Sequence, residues 1–248
     1  TPRKLFKAKS VDEVEGSKLQ PITSRLEASL HPEGGLLIYF GTGKYIEPSD
    51  NSTDTPTQTF YGIWDKLTSE QSLPVPRNKL LRQTIDPELT NGYRTSSNHP
   101  INWEEGGHRG WRIDLIDDGE RQVSDSILRN GRIIFTTLIP DTEPCSFGGD
   151  SWLMELDAIT GGRLSESPFD LNDDDKFDEE DLVNVSGSEE PAAVSGMKST
   201  VGILPTPTIL SSGPIEYKYG SGTTGDISKT KENPGPNRAG RIAWRQFQ

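Results

Sequence analysis

The sequence predicts an all-β protein. Only 31% of its 248 residues are hydrophobic, and 25 glycines and 18 prolines interrupt the chain. The apolar residues stand in short runs that end at glycine-containing turns, a pattern typical of many short strands rather than of helix bundles. A chain of this length can bury a substantial core without disulfides or metals.

The clearest strands lie in the first half of the chain. Residues 35–41 form an apolar run, and residues 58–65 alternate so that Phe60 and Trp64 share one face while Tyr61 lies on the other. We expect these two strands to pair. The polar stretch that follows predicts only one short helix, at residues 77–85.

The second half predicts further strands separated by turns. An Asp-Asp-Gly turn predicts a hairpin between residues 111–115 and 120–123. The remaining predicted strands are residues 132–139, residues 151–157 with a turn at 158–162, and two isolated strands at 203–210 and 240–245, separated by a polar linker.

The segment Leu156-Asp-Ala-Ile-Thr-Gly161 favours one β architecture, the propeller, over a sandwich or a barrel. It resembles the turn that joins two strands of a blade in quinoprotein-type β-propellers. In those proteins an Ala before the Leu and a Trp a few residues after the turn dock each blade on the next. These positions hold Glu155 and a Ser/Glu stretch here, so the docking pattern is degenerate. We therefore predict a partial, modified β-propeller of quinoprotein-like blades.

An acidic stretch predicts a metal site. Residues 170–181 read DLNDDDKFDEED, with eight carboxylates and one lysine. An EF-hand-type loop places side-chain oxygens at positions 1, 3, 5, 9 and 12 and a backbone carbonyl at position 7. A loop that begins at residue 170 fills every position, with the side chains of Asp170, Asn172, Asp174, Asp178 and Asp181 and the carbonyl of Lys176.

Only this register supplies oxygen ligands throughout, because a start at Asn172 puts Lys176 at position 5 and a start at Asp173 puts Phe177 there. The alternative is a solvated acidic loop with no ligand role. Such a random acidic run would fit the ligand pattern equally well from several starting residues. Position 6, usually Gly, holds Asp175, a residue type that tolerates the left-handed conformation. Position 12 holds Asp181 instead of Glu, as in dockerin-type loops, which this stretch resembles.

The ligand set indicates Ca²⁺, since this ion accepts six to eight oxygens at irregular angles, whereas Mg²⁺ requires a tight octahedron and Zn²⁺ prefers His or Cys. Without a cation the converging carboxylates repel one another. We therefore expect the ion to order the loop from residue 169 to residue 183.

Charge and hydropathy argue against two classes of partner. A net charge of −12 with no basic stripe opposes nucleic-acid binding. No apolar run reaches the roughly 20 residues of a membrane-spanning helix. Because the chain begins with Thr1, we expect it to be a processed or excised piece, so a missing export signal says nothing of its location.

The remaining motifs do not support catalysis. Gly41-Thr-Gly-Lys44 lacks both the earlier glycine and the following Ser or Thr of a phosphate-binding loop, so we interpret it as a turn between strands. His31, His99 and His108 have no ligand spacing, and no hydrolase motif occurs. We expect Cys145 to be buried, the alternative being a disulfide with a segment outside the given sequence. We expect the tryptophans to be core residues: Trp64, Trp103, Trp111, Trp152 and Trp244.

Several short segments, spread across nearly the whole chain, together carry a resemblance to a known family. They are Gln20-Pro-Ile-Thr23, Tyr39-Phe-Gly-Thr-Gly-Lys-Tyr45, Thr59-Phe-Tyr-Gly-Ile-Trp-Asp65, Gly110-Trp-Arg-Ile-Asp-Leu115, Gly119-Glu-Arg121, Ile139-Pro140 with Pro144-Cys145 and Gly148-Gly149, and Gly240-Arg-Ile-Ala-Trp-Arg245. In this order they resemble the C-terminal region of PilY-family proteins of type IV pilus biogenesis and pilus tips.

The resemblance implies that residues 1–248 are the C-terminal portion of a β-propeller domain, with the calcium loop at 170–181. It implies a non-enzymatic protein exported to the bacterial cell surface, the pilus tip, or the outer membrane and periplasm. Such a protein binds calcium, contacts pilin or minor pilin subunits and a host or surface ligand, and modulates pilus extension, retraction and adhesion. The family's propeller is longer than this chain, so open sheet faces would need a partner or local rearrangement.

One alternative function stays open. The propeller turn also occurs in quinone-cofactor-dependent dehydrogenases, although the sequence offers no convincing set of ligands for such a cofactor. Bound absorbance after addition of pyrroloquinoline quinone would distinguish the two functions.

Overall fold

The chain is described by a computed structural model that covers residues 3–10, 18–69, 71–86, 92–143, 148–185 and 187–235. In these ranges the structure is almost entirely β, with single 3₁₀ turns at Pro48–Asp50, Arg77–Lys79 and Glu179–Asp181. The strands, in chain order, are β1 (Glu27–Leu30), β2 (Leu36–Gly41), β3 (Thr59–Asp65), β4 (Leu81–Gln83), β5 (Tyr93–Arg94), β6 (Gly110–Asp114), β7 (Ile127–Arg129), β8 (Arg132–Thr136), β9 (Ile139–Pro140), β10 (Gly149–Asp150), β11 (Trp152–Asp157), β12 (Leu182–Val183), β13 (Ala192–Ala193), β14 (Gly196–Lys198), β15 (Thr208–Ser212), β16 (Ile215–Ser221) and β17 (Ile227–Glu232).

Two five-stranded sheets form most of the molecule. The first blade has the order β1-β2-β3-β6-β4 and the second blade the order β5-β14-β11-β8-β7. Within them, only β4 and β6 pair in parallel. A C-terminal sheet, β15-β16-β17, and the two-stranded pairs β9/β10 and β12/β13 complete the described part, in which no sheet closes on itself. The predicted all-β, partial and modified propeller is confirmed.

The two blades enclose one core. Leu37 and Phe60 from the first blade meet Phe135 and Met154 from the second, and the rings of Phe60 and Phe135 stack with centroids 4.0 Å apart. The predicted alternation of β3 is confirmed, because Tyr61 on its opposite face packs in a separate cluster beneath the N-terminal segment. Trp64, Trp111 and Trp152 are buried as expected, and Trp103 is half-buried.

Trp111 docks the blades on each other. Its indole Nε1 donates to the carbonyl oxygen of Ala158, 3.1 Å away, in the predicted blade turn. Gly62 and Gly161 leave room for the ring, since a Cβ at either position would lie 2.5 Å or less from it. The docking tryptophan that is missing beside the turn in the sequence is therefore supplied by the neighbouring blade.

The predicted helix at residues 77–85 is wrong. Only Arg77–Lys79 makes a 3₁₀ turn, and the chain continues as β4 beside β6. The Gln83 side-chain amide donates to the carbonyl oxygens of His99 and Thr160, both at 3.0 Å. Pairing with β6 and these contacts outweigh a weak local preference for helix.

The predicted hairpin after β6 is also wrong, although its turn exists. The Glu120 amide donates to the Asp117 carbonyl at 3.0 Å, but both edges of β6 are already paired with β3 and β4. The chain therefore turns away, and the Arg121 and Gln122 amides donate to the carbonyls of Leu138 and Thr42.

Two later strand predictions need correction. The run at 132–139 is divided into β8 and β9 because its partner changes: β8 pairs with β11, Leu138 forms a bridge with Arg121, and β9 pairs with β10. The strand predicted at 203–210 begins only at Thr208, and the supposed linker after it contains β16 and β17. Cys145, Trp244 and the strand predicted at 240–245 lie outside the described residues.

Candidate metal-binding loop

The acidic loop, residues 170–181, begins at the edge of the C-terminal sheet. Phe169 forms a β-bridge with Glu232, and the Asp170 amide donates to the Lys231 carbonyl at 3.3 Å. The Phe169 side chain is fully buried in a third apolar cluster, with Ile134 and Leu153 of the second blade. The entry to the loop is thus anchored both by backbone pairing and by apolar burial.

Asp170, at loop position 1, turns the backbone around its own carboxylate. Its Oδ1 accepts the amides of Asp173 at 2.7 Å and Asp174 at 3.2 Å, and its Oδ2 accepts the amide of Asp175 at 3.1 Å. Side chains of Asp and Asn commonly stabilise turns by such bonds. One side-chain carboxyl group therefore organises three successive peptide groups.

Positions 3 and 5 repeat this turn. Asn172 Oδ1 accepts the Asp174 amide at 3.1 Å, and Asp174 Oδ1 accepts the Lys176 amide at 2.9 Å. The intervening residues are left-handed, with φ of 65° at Asp173 and 63° at Asp175. The left-handed conformation expected at position 6 is confirmed for Asp175.

Asp181, at position 12, closes the loop. It is fully buried, its Oδ1 accepts the Leu171 amide at 2.6 Å, and its Oδ2 accepts the Asp178 amide at 3.2 Å. Burial, with the nearby charges of Asp170 and Asp178, raises the pKa of this carboxyl despite the two amide donors. Asp178 itself caps the following 3₁₀ turn through the Glu180 amide, at 3.0 Å.

The predicted ligands therefore share one coiled loop, but their oxygens bond to backbone amides and lysines. Within the described ranges, no group of three or more His, Cys, Asp or Glu side chains has a metal-binding arrangement. Asp174 Oδ2 lies 2.9 Å from the ammonium of Lys176, which lowers the pKa of that carboxyl. Side-chain rotations would be needed to turn these oxygens towards one ion. Their chemistry, carboxylate, amide and carbonyl oxygen, fits Ca²⁺.

Lys231 is a component of the loop that sequence reasoning missed. Its Nζ lies 2.5 Å from Oδ1 of both Asp173 and Asp175 and 3.5 Å from Asp170 Oδ2. These hydrogen bonds raise the pKa of Lys231 above its usual range. No local signal could have found this residue, because it comes from β17, far along the chain.

A buried ionic cluster lies under the C-terminal sheet. The Lys218 ammonium contacts the carboxylates of Glu155 and Glu232, and Arg132 Nη1 lies 3.2 Å from Glu155 Oε2. Burial lowers the pKa of Lys218, and the charge of Glu155 opposes that effect. Glu155, which breaks the propeller docking pattern in the sequence, is the residue of the second blade that receives this lysine.

The other motifs have structural roles. Gly43 lies in the irregular connection after β2 and not in the predicted turn, because its amide donates to the distant Pro21 carbonyl. The Arg121 guanidinium donates to the carbonyls of Lys44 and Asp50 at 3.0 and 2.8 Å. His31 stacks on Trp64, with ring centroids 4.1 Å apart, and His108 Nδ1 accepts the Asn102 amide at 2.9 Å.

Fold and site together define a class: an all-β, propeller-like module with an acidic loop built from successive Asp and Asn turns. No family model matches the chain. The chain is 32% identical over 257 aligned residues to the type IV pilus biogenesis factor PilY1 of Pseudomonas aeruginosa PAO1, covering 92% of this chain and 21% of that protein. A PilY1 homolog of Xylella fastidiosa is 30% identical over 244 residues, covering 93% of this chain and 18% of that protein.

A solved structure agrees with these relatives. The crystal structure of the P. aeruginosa PilY1 C-terminal domain superposes with a TM-score of 0.76 at 29% identity, covering 94% of this chain and 48% of that one. The chain belongs to the PilY1 family of type IV pilus biogenesis factors. It spans about a fifth of the length of the curated relatives it matches.

Proposed function

We propose that this chain is a calcium-binding propeller module of a type IV pilus biogenesis protein. The observation that carries the calcium site is the carboxylate of Asp170, which draws the amides of Asp173, Asp174 and Asp175 around itself. The same turn repeats at Asn172 and Asp174, so the residues at positions 1, 3 and 5 each fold the backbone of one loop. The oxygens of Asp170, Asn172, Asp174, Asp178 and Asp181 and the carbonyl of Lys176 would hold the ion, which would supply positive charge and no redox chemistry.

The role in the pilus follows from family membership. The relatives are named pilus biogenesis factors, so we propose that calcium at the loop regulates pilus extension and retraction and surface attachment. The partners would be pilin or minor pilin subunits and a host or surface ligand, met at the bacterial cell surface, the pilus tip, or the outer membrane and periplasm. None of the helical turns in the described ranges has the length and hydrophobicity of a membrane-crossing helix.

We propose no catalytic activity for the chain. Each of the three histidines uses a ring nitrogen in a structural contact with the backbone. The Nδ1 atom lies 3.0 Å from the Glu33 amide in His31, 3.1 Å from the Arg82 carbonyl in His99, and 2.9 Å from the Asn102 amide in His108. Turnover of an alcohol by the pure protein reconstituted with pyrroloquinoline quinone would support the dehydrogenase alternative and contradict this proposal.

Calorimetric calcium titration of the wild type and of Asp170→Asn tests the site. We expect one site in the wild type, in the range of about 10⁻⁴ to 10⁻³ M typical of extracellular modules. Asp170→Asn removes a ligand charge while keeping the shape of the side chain, so measurable binding should disappear. The matched control is Glu179→Gln, which removes a carboxylate at loop position 10, outside the ligand set. Equal affinity in the wild type and Asp170→Asn would refute the assignment.

In the parent organism, Asp170→Asn should alter surface motility or attachment while the protein stays folded. Twitching assays with the Glu179→Gln strain as control measure this effect. Unchanged motility and attachment, with calcium binding lost in the purified variant, would separate the calcium site from pilus regulation.

A further inference from the structure

Lys231 joins the acidic loop to the C-terminal sheet. It lies in β17, in register with Tyr217 of β16, and its carbonyl accepts the Asp170 amide. Its ammonium lies between the Oδ1 atoms of Asp173 and Asp175, 2.5 Å from each. Backbone and side chain of one residue therefore contact the beginning and the middle of the loop.

The two aspartates that meet this ammonium are the left-handed residues of the loop. A residue other than glycine pays a conformational penalty in that region, which is why position 6 is ordinarily glycine. The side chains of Asp173 and Asp175 are 84% and 60% exposed, so they contribute almost no burial to offset the penalty. The Asp170 carboxylate holds the backbone amides of both residues, and the ion pairs with Lys231 are the contacts that their side chains add.

Lys231 also changes the charge balance of the loop. Carboxylates in close proximity repel one another. The sequence alone therefore predicts that the ion-free loop is open. The ammonium offsets one of the two negative charges at positions 4 and 6 and approaches one predicted ligand oxygen, Asp170 Oδ2, at 3.5 Å. The oxygens of Asn172, Asp178 and Asp181 accept backbone amides of the loop, so Lys231 does not take up these three predicted ligands.

We infer that Lys231 is the positioning residue that keeps the acidic loop folded before any ion binds, taking over the role that glycine has at position 6. The inference rests on the proposed calcium site for its biological meaning, because a preformed loop lets Ca²⁺ bind without first ordering the chain. The fold of the ion-free loop is nevertheless a property of the chain itself and is measured in chelator.

The test is hydrogen exchange of the Asp174, Asp175 and Lys176 amides, observed by NMR in excess EDTA on the full chain. Lys231→Met should speed their exchange by roughly five- to tenfold, the range expected for loss of two exposed ion pairs. Lys231→Arg keeps the charge and should restore most of the protection. The matched control is Lys229→Met, on the same face of β17, whose ammonium lies 4.5 Å from the Tyr217 ring centroid. Its charge also acts on Asp173, so this variant measures the loss of a nearby positive charge without the loss of the Lys231 ion pairs.

A second background separates positioning from general destabilisation. In Asp173→Gly/Asp175→Gly the left-handed conformation carries no penalty and no carboxylate needs the ammonium. Lys231→Met should then change exchange by less than about twofold, since the two effects are coupled. Unchanged exchange in Lys231→Met alone, or equal acceleration in both backgrounds, would overturn the inference. A wild type that binds no Ca²⁺ would refute the proposed function. The comparison of Lys231→Met in the two backgrounds would still test the role of Lys231, because it is made without calcium.

Discussion

At the scale of single residues, the structure depends on side chains that fill spaces left by glycine. Trp111 lies against Gly62 and Gly161, which belong to different blades. Its indole is fully buried and donates to Ala158. A fully buried tryptophan contributes a large apolar area to the core. Its ring fits between the blades only because Gly62 and Gly161 have no Cβ atom.

Gly161→Ala should therefore destabilise the fold. The residue has φ of 70°, and an added Cβ would lie 2.2 Å from Trp111 Cδ2. We expect a loss of about 2–4 kcal/mol from left-handed strain and overpacking together. Urea unfolding measures it, with Gly213→Ala as the control, since Gly213 has φ of 67° and no atom within 4 Å of its added Cβ. Equal losses in both variants would show that the indole accommodates the methyl group.

His31 should make stability depend on pH. It is buried against Trp64 and Trp103, and burial lowers its pKa, with Glu33 opposing and Lys66 reinforcing the shift. The folded state thus binds this proton less readily than the unfolded state. The contribution of His31 is present above the unfolded pKa of about 6.5 and is lost as pH falls through the lower folded pKa.

His31→Phe should remove this component of the pH dependence. The measurement is the difference in unfolding free energy between wild type and variant at pH 7.5 and at pH 5. We expect the wild type to lose more stability than the variant on acidification. Parallel losses in the two proteins would exclude His31 as a contributor.

At the scale of elements, the C-terminal sheet is held by charges as well as by apolar contacts. The inward face of β16 carries Glu216 and Lys218, both buried, while Tyr217 and Tyr219 face outward. Arg129 of β7 forms a charge-assisted bond to Glu216, with its Nε 2.8 Å from Oε2. The sheet is therefore positioned on the second blade by ion pairs of defined geometry.

Lys218→Met should destabilise this packing strongly. It leaves the buried carboxylates of Glu155 and Glu232 without their shared ammonium, a change that typically costs about 3–5 kcal/mol. The double variant Lys218→Met/Glu232→Gln removes the excess negative charge and leaves Glu155 paired with Arg132, so it should recover more than half of the loss. Chemical denaturation of the wild type and the two variants measures the difference. A double variant as unstable as the single one would assign the loss to packing and not to charge.

At the scale of the whole molecule, one acidic loop connects two layers of the fold. Phe169 anchors it in the second blade, and Asp170 pairs with β17 of the C-terminal sheet. An ion bound there should stabilise the folded chain as a whole, since binding to the native state alone raises its free energy of unfolding.

Saturating calcium should accordingly raise the melting temperature. At a calcium concentration about 100 times the dissociation constant, the gain is about 2.7 kcal/mol, or roughly 5–10 °C for a chain of this size. Differential scanning calorimetry of wild type and Asp170→Asn, with and without calcium, tests this effect. An unchanged wild-type melting temperature would deny the ion a stabilising role.

The sequence by itself determined the features that depend on neighbouring residues. The alternation of β3, the blade turn at 158–162 and the left-handed Asp175 follow from local chemistry, and each was predicted correctly. The ligand register of the acidic loop is also a local pattern, and it stays a prediction until calcium binding is measured.

Only the tertiary structure decided the features that depend on distant partners. The segment 77–85 is a turn and a strand because β6 offers it an edge, and residues 120–123 make no hairpin because β3 and β4 occupy both edges of that strand. β16 and β17 escaped prediction because their inward faces carry charges, which a hydrophobic pattern assigns to solvent. The contact of Lys231 with the loop also depends on distant partners. Strand pairing, which sequence spacing does not encode, brings its ammonium to Asp173 and Asp175.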